Sequence, residues 1–384
     1  MSQERFIPFA LPDVGADEAE AVASVVRSGW VTSGPEMKAF EDDFVGFLGG
    51  GVQSIALNSA TAALHLALEA IGIGPGDEVI VPTWTFTATA EVVRHLGARP
   101  VIVDVDAETL NLSLDAVEAA LSPATRAVVP VHFAGLPLDV ASLRALLPGS
   151  VRIVEDAAHA LPAVRDGETV GEARFSDAVA FSFYATKTVT TGEGGMLTTR
   201  DSEIAARAKV MRLHGIDRDA FDRYTSTKPA WAYDVVAAGF KYNMPDTAAA
   251  MGRVQLGKAE LMRSRRESIA ARYAAELEGL GLTLPEAAPA GVTHSWHLFV
   301  VRLSAEGIGR DAFVDGMNRY GVGTSVHFIP LHEHTYWRRY VADPAKTLPV
   351  ACAEAPFAVS LPIYSSMSDD QVDHVCEAVR SVLS

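Results

Sequence analysis

The sequence predicts an α/β protein in which a large part, with a mostly parallel central sheet flanked by helices, precedes a smaller C-terminal α+β part. Short apolar runs alternate with helical patterns between residues 78 and 183, which is typical of a parallel sheet buried on both faces. The chain of 384 residues also exceeds what one hydrophobic core usually supports. Past residue 251 the pattern changes to a long charged helix, so we divide the chain into residues 1–250 and 251–384.

The first predicted helix begins at Asn58 or Ser59, both of which are good capping residues, and ends at Gly72. Its leucine and alanine residues recur on one face. Runs rich in Val and Ile then predict strands at residues 78–81, 100–103, 127–131, 151–154 and 178–183. The patterns between them predict helices at residues 87–96, 115–121 and 140–147.

The C-terminal part begins with one long charged helix over residues 255–280, followed by a proline-rich connection at residues 284–291. Its remaining elements are predicted at residues 297–303, 310–320 and 368–382. These short, mixed elements indicate a smaller α+β domain.

Composition and charge narrow the range of functions. The formal net charge of −16 argues against a nucleic-acid or anionic-membrane surface, because binding phosphate backbones requires clustered Lys and Arg. The N-terminal residues carry charges and prolines where a signal peptide needs an apolar run, so we expect a cytoplasmic protein. Cys352 and Cys376 are too few for a disulfide framework and have no second ligand set at metal spacing, so no metal site is expected.

Polar residues collect where the predicted strands end. Parallel strands place their carboxyl ends at one edge of the sheet, and ligands bind beyond that edge. The polar groups that follow four apolar stretches are Asn58, Ser59 and Thr61; residues 83–86; Glu155, Asp156 and His159; and residues 182–187. Their shared placement predicts a ligand site at this edge.

Lys187 lies in the stretch FSFYATKTVTTGEGG, between an apolar strand and a glycine-rich turn. A buried lysine loses the solvation of its ammonium, and the resulting neutral amine is nucleophilic and forms Schiff bases. The alternative is a solvated loop lysine, which is the commoner situation for this residue type. The neighbouring residues leave both interpretations open.

Asp156 also has two interpretations. In one it caps the helix that follows it. In the other, beside a buried lysine, its carboxylate holds the ring nitrogen of a pyridine-type cofactor protonated, so that the ring accepts electrons from the reacting carbon. His159 lies three residues further on, where it would contact the same ring or its phenolic oxygen, and a structural histidine is the alternative.

Further residues suit an aromatic ligand that carries a phosphate. Phe86 would stack on its ring, although a core position is the alternative. Ser59, Thr61 and the backbone amides around Ala60 suit a phosphate at a helix N-terminus, although capping explains Ser59 equally well. The chain contains no Walker A, GxGxxG, HExxH, CxxC or GxSxG pattern, so the mechanisms that depend on them lose support.

Six motifs, in order along nearly the whole chain, resemble those of the DegT/DnrJ/EryC1/StrS family of sugar aminotransferases, which are pyridoxal-phosphate enzymes of fold type I. They are NSATAALHLAL, EVIVPTWTFTATA, VEDAAHALPA, FSFYATKTVTTGEGGMLTT, GFKYNMPDTAAAMGRVQL and GTSVHFIPLH. The resemblance implies that Lys187 forms the Schiff base with the cofactor aldehyde and that Asp156 pairs with the pyridine nitrogen. It places His159 beside the ring oxygen and Phe86 on the ring.

The resemblance also implies a shared site in a homodimer. The phosphate would be bound by Ser59, Ala60, Thr61 and Ser182, together with Asn243 reaching across from the partner subunit. His327 would face the substrate, and the N-terminal segment would pack near the active site. Both subunits of a two-fold dimer would then be needed for a complete site.

The implied reaction is transamination, because Lys187 stands where dehydrating members of the family carry histidine. Glutamate would donate the amino group, and a nucleotide-linked keto sugar would accept it. The pairing of GFKYNMPD with TSVHFIPLHEHTYW is more similar to the branch that aminates C4 of UDP-linked 4-keto sugars. The alternatives are C3 of a dTDP-linked keto sugar, a keto-cyclitol, or a regulatory protein that binds the cofactor without turnover.

Overall fold

A seven-stranded mixed sheet forms the centre of the large part of the protein. The computed structural model describes residues 6–217 and 233–384. Across the sheet the strands lie in the order β1 (Gln53–Leu57), β9 (Gly195–Thr199), β8 (Ala178–Ser182), β5 (Arg152–Asp156), β4 (Thr125–Val128), β2 (Glu78–Pro82) and β3 (Arg99–Val103). Strand β9 runs antiparallel to both of its neighbours, and the other pairs are parallel. The predicted mostly parallel α/β sheet is confirmed.

Both faces of the sheet are buried. In β2, Val79 and Val81 belong to one hydrophobic cluster and Ile80 belongs to another, as the alternation of side chains along a strand requires. The accompanying helices are α1 (Ala16–Ser28), α2 (Pro35–Phe47), α3 (Ala60–Ala70), α4 (Ala88–His95), α5 (Leu114–Ala120), α6 (Val140–Leu146) and α7 (Ser202–Met211). Helix α3 starts after its cap Ser59, and Gly72 follows its end with a φ of +84°, as the sequence predicts.

The long charged helix is interrupted, contrary to the prediction of one helix over residues 255–280. Helix α8 (Asp246–Gly257) and helix α9 (Ala259–Leu277) meet at Lys258, which lies between them with a φ of −103° and a ψ of −1°. Lys258 forms an ion pair with the buried Glu18. The two helices therefore pack against different partners, α8 on α1 and α2, and α9 on the C-terminal helix (Asp369–Leu383).

The C-terminal part contains a second sheet with its own core. Strands β10 (Leu282–Thr283), β12 (Phe299–Leu303) and β13 (Ala358–Leu361) are antiparallel, and helices α10 (Arg310–Arg319) and α13 (Asp369–Leu383) pack with them. The remaining elements are strands β6 (Val164–Arg165), β7 (Glu168–Thr169) and β11 (Val292–Thr293), which form a third small sheet, and helices α11 (Pro344–Thr347) and α12 (Pro349–Glu354). The division near residue 250 stays a prediction.

The two parts share buried contacts. Leu298 and Val300 of the C-terminal part belong to the same hydrophobic cluster as Trp84, which follows β2. The C-terminal part is thereby held against the edge of the large sheet where the polar residues collect. Among the described residues, we find no helix whose length and apolar character would let it cross a membrane.

Candidate active site

A cavity of about 460 Å³ lies at the carboxyl ends of β1, β2, β5 and β8. This is the edge where a ligand site is expected in an open α/β sheet. The sequence-predicted residues that line the cavity are Ser59, Ala60, Thr61, Phe86, Asp156, His159, Ser182, Lys187 and His327. Residues from both parts of the chain therefore meet around one space.

Lys187 stands on the loop between β8 and β9, and its backbone amide donates to the carbonyl of Tyr184 at 2.9 Å. Burial lowers the pKa of its amine to about 8, with a smaller contribution from Arg266, while the carboxylate of Asp156 opposes the shift. Nζ lies 3.3 Å from Nε2 of His297. The sequence interpretation of a solvated loop lysine is therefore wrong.

Asp156 is the last residue of β5 and is only 6% exposed. Oδ2 accepts a hydrogen bond from the hydroxyl of Thr89 at 2.8 Å, and Oδ1 accepts one from the backbone amide of Ala158 at 3.1 Å. Burial raises the pKa of this carboxyl, while the two hydrogen bonds and Lys187 lower it. The carboxylate is thus fixed in direction and has remaining acceptor capacity toward the cavity.

Two buried histidines contact each other beside Lys187. The ring centroids of His159 and His297 are 4.4 Å apart, and burial lowers both pKa values well below the usual range, so both rings are uncharged at neutral pH. Within the described part of the chain, Nδ1 of each ring is buried without a hydrogen-bond partner. Sequence reasoning missed His297, because it lies at the start of the element predicted at residues 297–303 and carries no motif of its own.

The N-terminus of α3 faces the glycine turn that follows Lys187. The hydroxyl of Ser59 accepts a hydrogen bond from the backbone amide of Ala62 at 3.1 Å, which leaves the amides of Ala60 and Thr61 available to an anion. A Cβ on Gly195 would clash with the carbonyl group of Ser59. Glycine is therefore required where β9 begins against the helix end.

Phe86 and His327 line the opposite part of the cavity. The side chain of Phe86 is 59% exposed, which excludes the alternative of a core position. The ring of His327 stacks on Phe9 at 5.0 Å, so the N-terminal segment lies close to the cavity. Burial, together with Lys187, lowers the pKa of His327 to about 4.

Asn243 does not line the cavity of its own chain. It pairs with Leu57 in an isolated antiparallel bridge, and its side-chain amide donates to the hydroxyl of Ser33 at 2.6 Å. Its expected contact with the cofactor of a partner subunit stays a prediction.

The lining fits pyridoxal phosphate. The unpartnered Nδ1 of His159 offers a polar contact to an aromatic ligand, and the exposed ring of Phe86 offers a stacking surface. The amides at the start of α3 suit a phosphate, and the amine of Lys187 suits an aldehyde. A cavity with these groups at the strand ends of a large mixed sheet defines a pyridoxal-phosphate-dependent enzyme of fold type I.

Comparison with known proteins places the chain in one family. Residues 12–380 match the DegT/DnrJ/EryC1/StrS aminotransferase family. The chain is 43% identical, over its full length and 99% of the relative, to the spore coat polysaccharide biosynthesis protein SpsC of Bacillus subtilis.

Solved structures support the same family assignment. The putative sugar aminotransferase Spr1654 of Streptococcus pneumoniae in its PMP form superposes with a TM-score of 0.90 at 32% identity, covering 98% of this chain and 99% of that one. The aminotransferase TlmJ of Streptoalloteichus hindustanus superposes with a TM-score of 0.89 at 36% identity, covering 98% of each chain. The chain belongs to the DegT/DnrJ/EryC1/StrS aminotransferase family, and it is a pyridoxal-phosphate-dependent aminotransferase.

Proposed function

We propose that this aminotransferase moves the amino group of glutamate to a keto carbon, C4, of a nucleotide-linked keto-deoxy sugar. The observation that carries the proposal is the amine of Lys187, which lies in the cavity with the carboxylate of Asp156 and the exposed ring of Phe86. Sugar acceptors and a role in polysaccharide or amino-sugar biosynthesis are supported by the relatives, which include a putative sugar aminotransferase and a polysaccharide biosynthesis protein.

The surface beside the cavity supports a large acceptor. An open groove of about 390 Å³ shares Thr85, Phe86 and Phe328 with the cavity. Its far wall includes Tyr336, on whose ring the guanidinium of Arg339 stacks at 4.1 Å. Aromatic faces beside a cation suit a nucleoside diphosphate, which presents a flat base and an anionic linkage.

The cofactor, when bound, supplies an aldehyde and an electron-accepting ring. Asp156 would hold the ring nitrogen protonated, and Phe86 would pack on the ring face. The amides of Ala60 and Thr61, with the hydroxyls of Ser59 and Ser182, would bind the phosphate.

Three polar side chains would act around the reacting carbon. Nζ of Lys187 would take the proton from the donor Cα and return one to the acceptor carbon, acting as both base and acid. His159 would bind the ring oxygen, and His327 would orient the substrate from the other wall.

The spectrum of the purified protein with pyridoxal phosphate tests the first half of the reaction. We expect the absorption band of the lysine-bound cofactor, conversion by glutamate to the spectrum of pyridoxamine phosphate, and the loss of both in Lys187→Ala. A wild-type band that glutamate leaves unchanged would exclude glutamate as the donor. The absence of any lysine-bound band would overturn the assignment of Lys187.

The acceptor is identified by running the second half separately. Protein converted by glutamate is mixed with a UDP-linked 4-keto sugar, a dTDP-linked 3-keto sugar or a keto-inositol. Return of the lysine-bound band identifies the acceptor class, and the position of the new amino group in the product follows from its NMR spectrum. A response to the 3-keto sugar or to the keto-inositol alone would exclude C4.

We also propose a homodimer with shared sites, tested by complementation. Lys187→Ala and Asn243→Ala chains are mixed under conditions of subunit exchange. If Asn243 serves the partner's site, each mixed dimer has one intact site, and about a quarter of the wild-type activity returns. Activity no greater than the sum of the separate variants would place Asn243 outside the partner's site.

A further inference from the structure

His297 makes a direct contact with the amine of Lys187 that the proposed roles do not use. Its Nε2 lies 3.3 Å from Nζ, and its ring packs against that of His159 at an angle of 42°. The residue belongs to the connection between β11 and β12, in the C-terminal part of the chain. The contact therefore joins the two parts of the protein at the reacting lysine.

The connection that carries His297 is fixed from both sides. On one side, the amide of Ser295 donates to the carbonyl of Gly135 at 3.1 Å, and its hydroxyl donates to the carbonyl of His159. On the other, the buried guanidinium of Arg266 donates to the carbonyl of His297 at 3.4 Å. A ring whose backbone is held in this way has little freedom to turn from the lysine.

The environment selects one tautomer of His297. Nδ1 is buried and has no partner within the described residues. A buried N–H without an acceptor is rarer and more costly than an unpaired acceptor nitrogen. The hydrogen is therefore on Nε2, where it points at Nζ of Lys187. Since an ammonium offers only hydrogens, this bond requires the uncharged amine with its lone pair.

The groups around Lys187 act on its charge in opposite directions. Asp156 favours the ammonium, whereas burial and Arg266 favour the amine. The rings of His159, His297 and His327 face the lysine uncharged, because burial lowers all three pKa values. Tyr184 and Glu193 line the same cavity. A hydrogen bond that only the uncharged amine can accept adds to the groups that favour the amine.

We propose that His297 is a positioning residue for Lys187: its Nε2–H donates to Nζ, favours the uncharged amine of the free lysine and fixes the direction of its lone pair. The lysine is free before it binds the cofactor and again after glutamate has given up its amino group. At both points an amine with an available lone pair is the form that bonds to an aldehyde carbon or accepts a proton.

The test replaces the ring by one of similar size without a donor. In the full-length, cofactor-free protein, the rate at which Lys187 reacts with trinitrobenzenesulfonate is followed against pH by mass spectrometry. We expect the midpoint of His297→Phe to lie roughly one pH unit above that of the wild type, which is about a tenfold slower reaction at pH 7. The matched control is His294→Phe, a buried histidine of the same connection that stacks on Trp296.

A midpoint that stays at the wild-type value in His297→Phe, or moves equally in both variants, would overturn the proposal. The tautomer is tested independently by the ¹⁵N shifts of histidine-labelled protein, with the His297 signals assigned as those missing from His297→Phe or, should that variant not fold, from His297→Asn. Hydrogen on Nε2 supports the proposal, and hydrogen on Nδ1 overturns it even if His297→Phe fails to fold.

Discussion

The hydroxyl of Thr89 donates a hydrogen bond to Oδ2 of Asp156 at 2.8 Å. Thr89 lies in the first turn of α4, and its own oxygen lies 2.7 Å from the hydroxyl of Thr85. Both threonines are buried, so this short chain of hydroxyls connects the loop after β2 with the carboxylate at the end of β5. The relationship stabilises the ionised form of a carboxyl whose burial opposes ionisation.

Replacing Thr89 by the isosteric valine should raise the pKa of Asp156 further. A hydrogen bond to a charged group contributes about 1.5–3 kcal/mol, so we expect kcat/KM to fall on the order of tenfold or more. The acid limb of the pH profile should move to higher pH, because the carboxyl then ionises later. Thr89→Ser, which keeps the hydroxyl, should retain the wild-type limb. An unchanged profile in Thr89→Val would contradict the role of this bond.

Replacing Gly195 by alanine should displace the start of α3. The added Cβ would meet the backbone of Ser59 and Ala60, which cannot move aside as a flexible side chain can. We expect a loss of about 1–3 kcal/mol of stability and weaker cofactor binding, measured by thermal unfolding and spectroscopic titration.

The matched control for that substitution is Gly46→Ala, in helix α2, where nothing lies within 4 Å of the added Cβ. Alanine favours the helix, so this variant should be as stable as the wild type or slightly more so, with unchanged cofactor affinity. Equal weakening of cofactor binding in both variants would show that contact with Ser59 is not the cause.

Burial of Lys187 should destabilise the cofactor-free protein at neutral pH. Its folded-state pKa of about 8 lies below the ordinary lysine value of 10.5, so the folded chain binds fewer protons between these values and stability rises with pH there. Lys187→Met should therefore gain about 2 kcal/mol at pH 7, after allowance for the partial exposure of the residue. The gain should shrink between pH 8 and 10.5, as measured by urea unfolding. An equal gain at both ends would attribute it to packing of the methionine.

Asp246 should be essential for the position of α2. The side chain is fully buried and accepts hydrogen bonds from the amides of Gly34, Glu36 and Met37. Asp246→Ala leaves these donors without an acceptor, so we expect a loss of about 2–4 kcal/mol in the free energy of unfolding. Asp246→Asn, which keeps one acceptor oxygen, should lose less. Equal stability of the alanine variant and the wild type would exclude this role.

Much of the fold could be predicted because its signals are local. The sequence alone indicates the apolar runs of β2 to β5 and β8, and it also indicates the helix cap at Ser59. Strand β9 was not predicted, because its sequence GMLTT contains glycine and two threonines and has no apolar run. The break at Lys258 was not predicted either, and the ion-pair partner of Lys258, Glu18, is far away in the chain.

The residues of the candidate active site likewise include some that the sequence predicts and some that it does not. Lys187 and Asp156 stand beside strands that can be identified, whereas Thr89 and His297 act through contacts that only the tertiary structure creates. His297 approaches Lys187 across 110 positions of the chain, so no periodicity or spacing connects them. Sequence patterns therefore do not predict residues that contact a reacting group from a different secondary-structure element.

The pairing of β1 with β9 has a consequence for biogenesis. Leu57 lies opposite Gly195, so the phosphate-binding helix start and the lysine loop meet only after distant segments of the chain have come together. Such contacts form late, because closing a long loop has an entropic cost that must be met before the contact is made. The vitamin-derived cofactor therefore binds only chains in which β1 and β9 have paired. Because binding stabilises the folded state, cells that lack the cofactor should accumulate less of the folded enzyme.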